Sequence, residues 1–133
     1  MTVTERMLQS PPATDGDVNR ALLECLESCV ECAQACTACA DACLGEDMVA
    51  ELTTCIRKNL DCADVCAAAA SALTRQTGEN ADVLRALVEA CRAACASCAA
   101  ECEQHAEMHA HCRVCAEACR RCEQACAELI DTL

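Results

Sequence analysis

Cysteine is the residue type in this sequence with the most chemistry to offer, and it recurs at regular helical intervals. In three stretches of the chain, and with one gap in a fourth, successive cysteines are three or four residues apart. This is the spacing of the a and d positions of a heptad repeat, so the pattern predicts that every thiol faces the partner helices. The ladder comprises Cys25, Cys29, Cys32, Cys36, Cys39 and Cys43, then Cys55, Cys62 and Cys66, then Cys91, Cys95, Cys98 and Cys102, and finally Cys112, Cys115, Cys119, Cys122 and Cys126.

Most of these thiols occur in pairs that could share a metal ion. Sixteen of the 18 cysteines form Cys-x-x-x-Cys pairs, and Cβ atoms four residues apart on a helix are about 5–6 Å apart. A disulfide needs Cβ atoms about 3.5–4.5 Å apart, so the spacing favours metal binding over oxidation. Asn59 interrupts the ladder and leaves Cys55 without a thiol four residues later. We expect Asn59 to form hydrogen bonds among the inward-facing cysteines rather than to bind metal.

The type of ligand limits the metals that fit. Thiolates select Cu(I), Zn²⁺ or iron–sulfur clusters, but zinc and iron–sulfur sites usually use Cys-x-x-Cys motifs in loops. Cu(I) is satisfied by two or three sulfurs, and one monovalent ion per thiolate neutralises a buried row of charges. The sequence therefore favours binding of multiple Cu(I) ions per chain, with a capacity on the order of one ion per cysteine.

Three other functions are compatible with a cysteine-rich helical chain. A metallothionein-like zinc or cadmium buffer would bind about one divalent ion per four thiols. A redox-sensing thiol protein would form disulfides, and a structural coiled coil would use cysteine only as a small apolar residue. The sequence offers no recognisable set of nucleophile, base and orienting group, so we do not expect an enzyme.

Composition narrows the class of protein further. The chain has 133 residues, which fits one domain, and it contains no Phe, Tyr or Trp. Its formal net charge of −12 argues against nucleic acid as a partner. The sequence shows no signal peptide and no apolar run long enough to cross a membrane, so we expect no membrane association and a cytoplasmic location, where thiols stay reduced.

The elements that position the thiols are predicted to be four long helices. Residues 1–14 are expected to form an N-terminal arm, broken at Ser10-Pro11-Pro12, and residues 15–133 the bundle. Thr14 and Asp15 are predicted N-caps. Short connections between amphipathic helices predict an all-α, antiparallel up-down-up-down four-helix bundle with a cysteine-lined core. The predicted helices run from about Gly16 to Leu44, from Asp47 to Gln76, from the Asn80 cap to His105, and from His109 to Asp131.

The two ends of this bundle are predicted to differ. Histidines and methionines collect where the first and third connections meet, and imidazole and thioether groups are neutral ligands that suit Cu(I). We predict that His105, His109, His111 and Met108 are further metal ligands at this mouth, and that Met48 lies nearby. Aliphatic residues are predicted to plug the opposite end, namely Val18, Leu22, Leu73, Leu84, Leu87, Val88, Leu129 and Ile130.

The cysteine ladder, together with the segment His105-Ala-Glu-Met-His-Ala-His-Cys112, resembles the cytosolic copper storage proteins of bacteria (Csp-type) over about residues 18–130. The resemblance implies storage or sequestration of Cu(I) in the interior of a four-helix bundle, and assembly into a homotetramer. Such storage requires only binding and no catalysis. We expect Cu(I) to arrive from glutathione or a copper chaperone and to pass inward from the mouth.

Overall fold

The structure is a computed structural model that describes residues 1–12 and 16–133. All regular secondary structure in these residues is helical, so the predicted all-α fold class is confirmed. The predicted caps Thr14 and Asp15 lie outside the described residues. The helices are α1 (Val3–Gln9), α2 (Arg20–Leu44), α3 (Thr53–Thr74), α4 (Ala81–Glu103) and α5 (Ala110–Ile130), with a 3₁₀ turn at Val49–Glu51.

Helices α2 to α5 form a four-helix bundle in which each helix packs on two neighbours. Helix α2 packs against α3 and α5, and α4 also packs against α3 and α5. Near the start of α2, Cys25 Sγ lies 3.7 Å from Cys126 Sγ, and near its end Cys39 Sγ lies 3.8 Å from Cys112 Sγ. The contacts thus run in opposite chain directions along α2 and α5, so these two helices are antiparallel. This is the direction expected when three short connections reverse the chain from one helix to the next. The predicted antiparallel arrangement is confirmed.

The start of the first bundle helix is set by a different cap from those predicted. Helix α2 begins at Arg20 rather than Gly16, because Asn19 adopts an extended conformation and its Oδ1 accepts a hydrogen bond from the backbone N–H of Leu22 at 3.2 Å. A side-chain acceptor at this position satisfies an N–H group that has no partner within the helix. The helix ends at Leu44 as predicted, and Gly45 closes it in a right-handed conformation, with φ −86°.

The other helices are shorter than predicted at one or both ends. Helix α3 begins at Thr53 rather than Asp47, because the chain first makes the separate 3₁₀ turn, and it ends at Thr74. Helix α4 ends at Glu103 and helix α5 begins at Ala110. His105 therefore lies in the connection between them, and His109 lies at its edge. Of the predicted mouth residues, His105, Met108 and His109 therefore lie outside the two helices, whereas His111 lies in the first turn of α5.

The N-terminal arm contains a two-turn helix, α1 (Val3–Gln9). Thr2 Oγ1 caps it by accepting a hydrogen bond from the Glu5 backbone N–H at 3.0 Å. Leu8 is buried as part of the bundle core, and the Glu5 carboxylate forms an ion pair with Arg20 at 3.2 Å. The arm is therefore anchored to the bundle by one apolar side chain and one ion pair.

The core of the bundle consists of sulfur over most of its length and of aliphatic carbon at one end. All 18 cysteines are at most 1% exposed. Leu73, Val88 and Leu129 are fully buried at the end opposite the α2–α3 and α4–α5 connections, and Leu22 is nearly so. The remaining predicted plug residues, Val18, Leu84, Leu87 and Ile130, are partly buried against this core. Among the described residues, no helix combines the length and apolarity that a bilayer span requires.

Candidate metal centre

The thiols of the bundle form a continuous column of neighbouring sulfur atoms. All 18 cysteines are free thiols. At the middle of the column, Cys32 Sγ lies 3.6 Å from Cys119 Sγ, 3.8 Å from those of Cys36 and Cys62, and 3.9 Å from that of Cys95. These five sulfurs come from all four bundle helices. The heptad spacing accounts for this convergence, because each a or d side chain enters the space between the facing helices.

The column can be divided into sets of four sulfurs, each of which could surround a metal ion. The sulfurs in each set lie within 4.8 Å of one another and are buried. Sequence spacing alone identifies partners on one helix, whereas every one of these sets draws on three or more helices. The sets are Cys29, Cys91, Cys122 and Cys126; Cys32, Cys66, Cys95 and Cys122; Cys32, Cys36, Cys62 and Cys119; and Cys36, Cys98, Cys115 and Cys119.

Sharing of cysteines between sets has a chemical consequence. Cys32 belongs to two sets with different partners, and so do Cys36, Cys119 and Cys122. A sulfur that lies between two sets can bridge two ions or pass one from set to set. The arrangement therefore suits a chain of many closely spaced monovalent ions better than a few isolated closed sites.

Asn59 occupies the gap in the ladder and forms the hydrogen bonds expected of it. Its side chain is fully buried. Its Oδ1 accepts from the thiols of Cys98 at 3.0 Å, Cys115 at 3.2 Å and Cys102 at 3.6 Å, and its Nδ2 donates to Cys55 Sγ at 3.7 Å. These contacts satisfy a buried amide that would otherwise be costly in an apolar interior.

Burial keeps two thiols near the mouth, Cys43 and Cys112, protonated when no metal is bound. Burial raises the pKa of the Cys43 thiol to about 11, with the neighbouring Cys39 thiol contributing. Burial likewise raises the pKa of Cys112. A bound cation compensates the charge that burial disfavours, so metal binding is coupled to release of thiol protons.

At the mouth of the column, one histidine joins the sulfurs directly. His111 Nδ1 lies 3.4 Å from Cys39 Sγ and 3.6 Å from Cys112 Sγ. Together with Cys43 these residues form a mixed set of three sulfurs and one nitrogen within 4.8 Å of one another. The structure thus places His111 at the first thiols that an ion entering from this end would meet.

Glu46 is a functional candidate that the sequence analysis did not identify. Its Oε2 atom lies 2.8 Å from His111 Nε2 and 3.0 Å from His109 Nδ1. The two imidazole rings stack with centroids 5.3 Å apart and an interplanar angle of 17°. The hydrogen bond from His111 lowers the pKa of the Glu46 carboxyl. Glu46 belongs to the α2–α3 connection, where no periodic pattern relates it to the histidines.

The other predicted mouth ligands have varied surroundings. His109 is 9% exposed, and its Nε2 atom is buried without a hydrogen-bond partner. His105 Nε2 lies 2.9 Å from Glu101 Oε2, one helical turn earlier. The Met108 side chain is 66% exposed, and Met48 packs partly buried against the core. Metal ligation by His105, His109 and Met108 stays a prediction.

Comparison with known proteins places this architecture in a family. The family model described as copper storage protein matches residues 18–131 of the chain. A comparison with curated protein sequences finds no match.

Three solved structures are closely similar. The copper storage protein Ccsp from Streptomyces lividans, loaded with 10 copper equivalents, is 58% identical, with 98% of this chain and 99% of that chain covered and a TM-score of 0.93. A cytosolic copper storage protein from Streptomyces lividans with five coppers is 62% identical over 85% of this chain and 94% of that chain, with a TM-score of 0.83. The Cu(I)-bound Bacillus copper storage protein BsCsp3 is 35% identical over 78% of this chain and 92% of that chain, with a TM-score of 0.68. The chain therefore belongs to the copper storage protein family.

Proposed function

We propose that this protein stores copper by holding many Cu(I) ions on the thiolates inside its bundle. The observation that carries the proposal is the column of buried, free sulfurs, arranged in overlapping sets of four within 4.8 Å. Relatives of known structure are described as Cu(I)-bound or loaded with five or 10 coppers. Storage requires binding and release but no covalent chemistry, so the proposed role is not enzymatic.

The proposed ligands are the 18 cysteines and, at the mouth, His111, His105, His109 and Met108. Deprotonated thiolates in a dry interior would repel one another unless each were neutralised. A monovalent soft cation per thiolate removes that repulsion, and sulfur is the ligand type that Cu(I) prefers. A capacity on the order of one Cu(I) per cysteine follows.

The proposed route for copper begins at the histidine end. His111 reaches two thiols there, whereas Leu73, Val88 and Leu129 close the other end with aliphatic carbon. A copper chaperone or glutathione would deliver Cu(I) to this mouth, and ions would then pass between sets that share a sulfur. We further propose a cytoplasmic location, as described for the Streptomyces lividans relative. Assembly into a homotetramer is proposed from the family resemblance of the sequence.

The division of the chain follows from the same arrangement. We propose that residues 1–14 are an arm without copper ligands and that residues 15–133 contain the whole storage site. All 18 cysteines and all three histidines lie in the second segment.

Anaerobic metal titration of the reduced, metal-free protein tests the proposal. Cu(I) and Zn²⁺ are added separately, and bound ions per chain are counted after removal of excess metal. We expect Cu(I) to saturate near one ion per cysteine, well above the value for Zn²⁺. Saturation by both metals at about one ion per four thiols would instead indicate a zinc or cadmium buffer.

A matched pair of variants links the capacity to the column. Cys32→Ser removes a sulfur shared by two sets, and Ser28→Ala changes a neighbouring side chain that is buried at the edge of the bundle but is not a thiol. We expect Cys32→Ser to lower the number of bound Cu(I) ions by at least one and Ser28→Ala to leave it unchanged. Equal capacities in both variants would contradict storage on the thiol column.

A further inference from the structure

We propose that Glu46 is a positioning residue that fixes His109 and His111 in opposite tautomers, so that each presents a different ring nitrogen to incoming Cu(I). The inference rests on the proposed function, because it concerns how the mouth of the same site receives copper. It depends on three observations: a carboxylate oxygen shared by two imidazoles, a ring nitrogen beside two thiols, and a second ring nitrogen that is buried and unpartnered.

The geometry at His111 defines its tautomer. Its Nε2 atom lies 2.8 Å from Glu46 Oε2, and an ionised carboxylate can only accept a hydrogen bond. The neutral ring therefore keeps its proton on Nε2. Its Nδ1 lone pair can then only accept, and it faces the thiols of Cys39 and Cys112, whose sulfurs lie at 3.4 and 3.6 Å and which a metal ion would deprotonate. A neutral nitrogen with a lone pair beside two thiols is a ready ligand for a soft cation.

The geometry at His109 defines the opposite tautomer. Here Nδ1 lies 3.0 Å from the same Glu46 oxygen, and a carboxylate at this distance favours the tautomer of the neutral ring that carries its proton on Nδ1. The Nε2 lone pair is buried and has no hydrogen-bond partner. The ring is more than nine-tenths buried. A buried polar atom normally finds a partner, so this nitrogen is suited to a ligand that arrives from outside.

Glu46 acts on both rings from another part of the chain. It lies in the α2–α3 connection, whereas His109 precedes α5 and His111 lies in its first turn. The stacked rings share one carboxylate oxygen, which fixes the orientation of one ring relative to the other. A carboxylate bonded to the non-ligating nitrogen of a histidine is a common means of orienting a metal ligand and raising its basicity.

The first experiment measures the tautomers without any metal. The ¹⁵N chemical shifts of the imidazole nitrogens are recorded by NMR for the reduced, metal-free protein at mildly alkaline pH. We expect His111 protonated on Nε2 and His109 on Nδ1 in the unchanged protein, and a mixture of tautomers in Glu46→Ala. Glu46→Gln retains an oxygen acceptor and is expected to keep most of the bias. Glu103→Ala is the matched control, since Glu103 pairs with Arg120 outside the mouth.

The second experiment measures copper uptake by the same variants. Stopped-flow mixing with a Cu(I)–chelator complex gives the loading rate, and anaerobic titration gives the capacity. We expect Glu46→Ala to load about 10–100-fold more slowly, in line with the loss of metal affinity or activity that follows removal of such a partner, with capacity unchanged. Glu46→Gln should restore much of the rate, and Glu103→Ala should load normally.

The outcomes separate this inference from the proposed function. The role of Glu46 would be overturned if both rings had the same tautomer in the unchanged protein. It would also be overturned if Glu46→Ala left the tautomers unaffected, even with copper capacity as expected. Loss of capacity in Glu46→Ala would show that Glu46 is itself a ligand and also overturn it. A Glu46→Gln variant with the same mixture of tautomers as Glu46→Ala would overturn hydrogen-bond acceptance by Glu46 as the cause of the two tautomers. A low Cu(I) capacity in the unchanged protein would contradict storage and leave the tautomer result standing.

Discussion

Asn59 Oδ1 accepts a hydrogen bond from the Cys98 thiol at 3.0 Å, which places an amide in the middle of a column otherwise made of sulfur. The same oxygen also accepts from Cys115 at 3.2 Å. The amide therefore fills the gap left in the α3 ladder and ties α3 to α4 and α5. The amide stabilises the metal-free bundle, because there the thiols still carry protons that they can donate to it.

Replacement of Asn59 by alanine is expected to destabilise the metal-free protein without reducing its copper capacity. The substitution removes the acceptor of buried thiol protons and leaves a cavity, which should lower the free energy of unfolding by about 1–3 kcal/mol. Urea unfolding and Cu(I) titration measure the two quantities. Asn80→Ala is the control, because Asn80 is exposed and its side chain makes no cap hydrogen bond. A capacity reduced by a whole ion would show that Asn59 is a ligand.

The aliphatic end of the bundle is expected to act as a barrier to copper loss. Leu129 is fully buried there, and Leu129→Ala should lower the free energy of unfolding by about 2–5 kcal/mol and open a path to solvent. We expect bound copper to transfer faster to a competing chelator in this variant. Leu52→Ala truncates a fully buried leucine near the mouth and controls for general destabilisation. Equal acceleration in both variants would argue against a specific plug.

The positions of the thiols could be predicted from the sequence, because heptad spacing alone decides which helical face is buried. The contacts at the mouth could not be predicted in the same way. His111 meets Cys39 through the pairing of α5 with α2, and Glu46 meets both histidines through the folding of two connections. The conformation of a connection depends on tertiary packing, and its sequence has no periodic pattern from which the contacts could be predicted. The Asn19 cap was missed for a related reason, since Thr14 and Asp15 are equally good acceptors and spacing does not choose between them.

The metal-free bundle is expected to lose stability in alkaline solution. The folded-state pKa of Cys43 is raised by burial from 9.0 to about 11. A group whose pKa is higher in the folded state contributes its full stability below the unfolded pKa and loses it as pH rises through the folded value. The free energy of unfolding of the reduced protein should therefore fall between about pH 9 and pH 11, as measured by urea unfolding across that range. Cys43→Ser should show a shallower fall, and an identical slope in both proteins would contradict the assignment.

Removal of α1 is expected to leave the bundle and its copper capacity intact. Leu8 is the buried residue of this helix, and burial of a leucine contributes about 1.5–3 kcal/mol. The ion pair between Glu5 and Arg20 adds little, because the Arg20 side chain is largely exposed. A chain lacking residues 1–9 should therefore unfold at lower urea concentration but keep its helical circular dichroism and bind the same number of Cu(I) ions. Leu8→Ala in the full chain should reproduce most of the loss of stability. If the shortened chain bound fewer ions, the arm would have to be counted as part of the storage site, because the thiols themselves all lie beyond it.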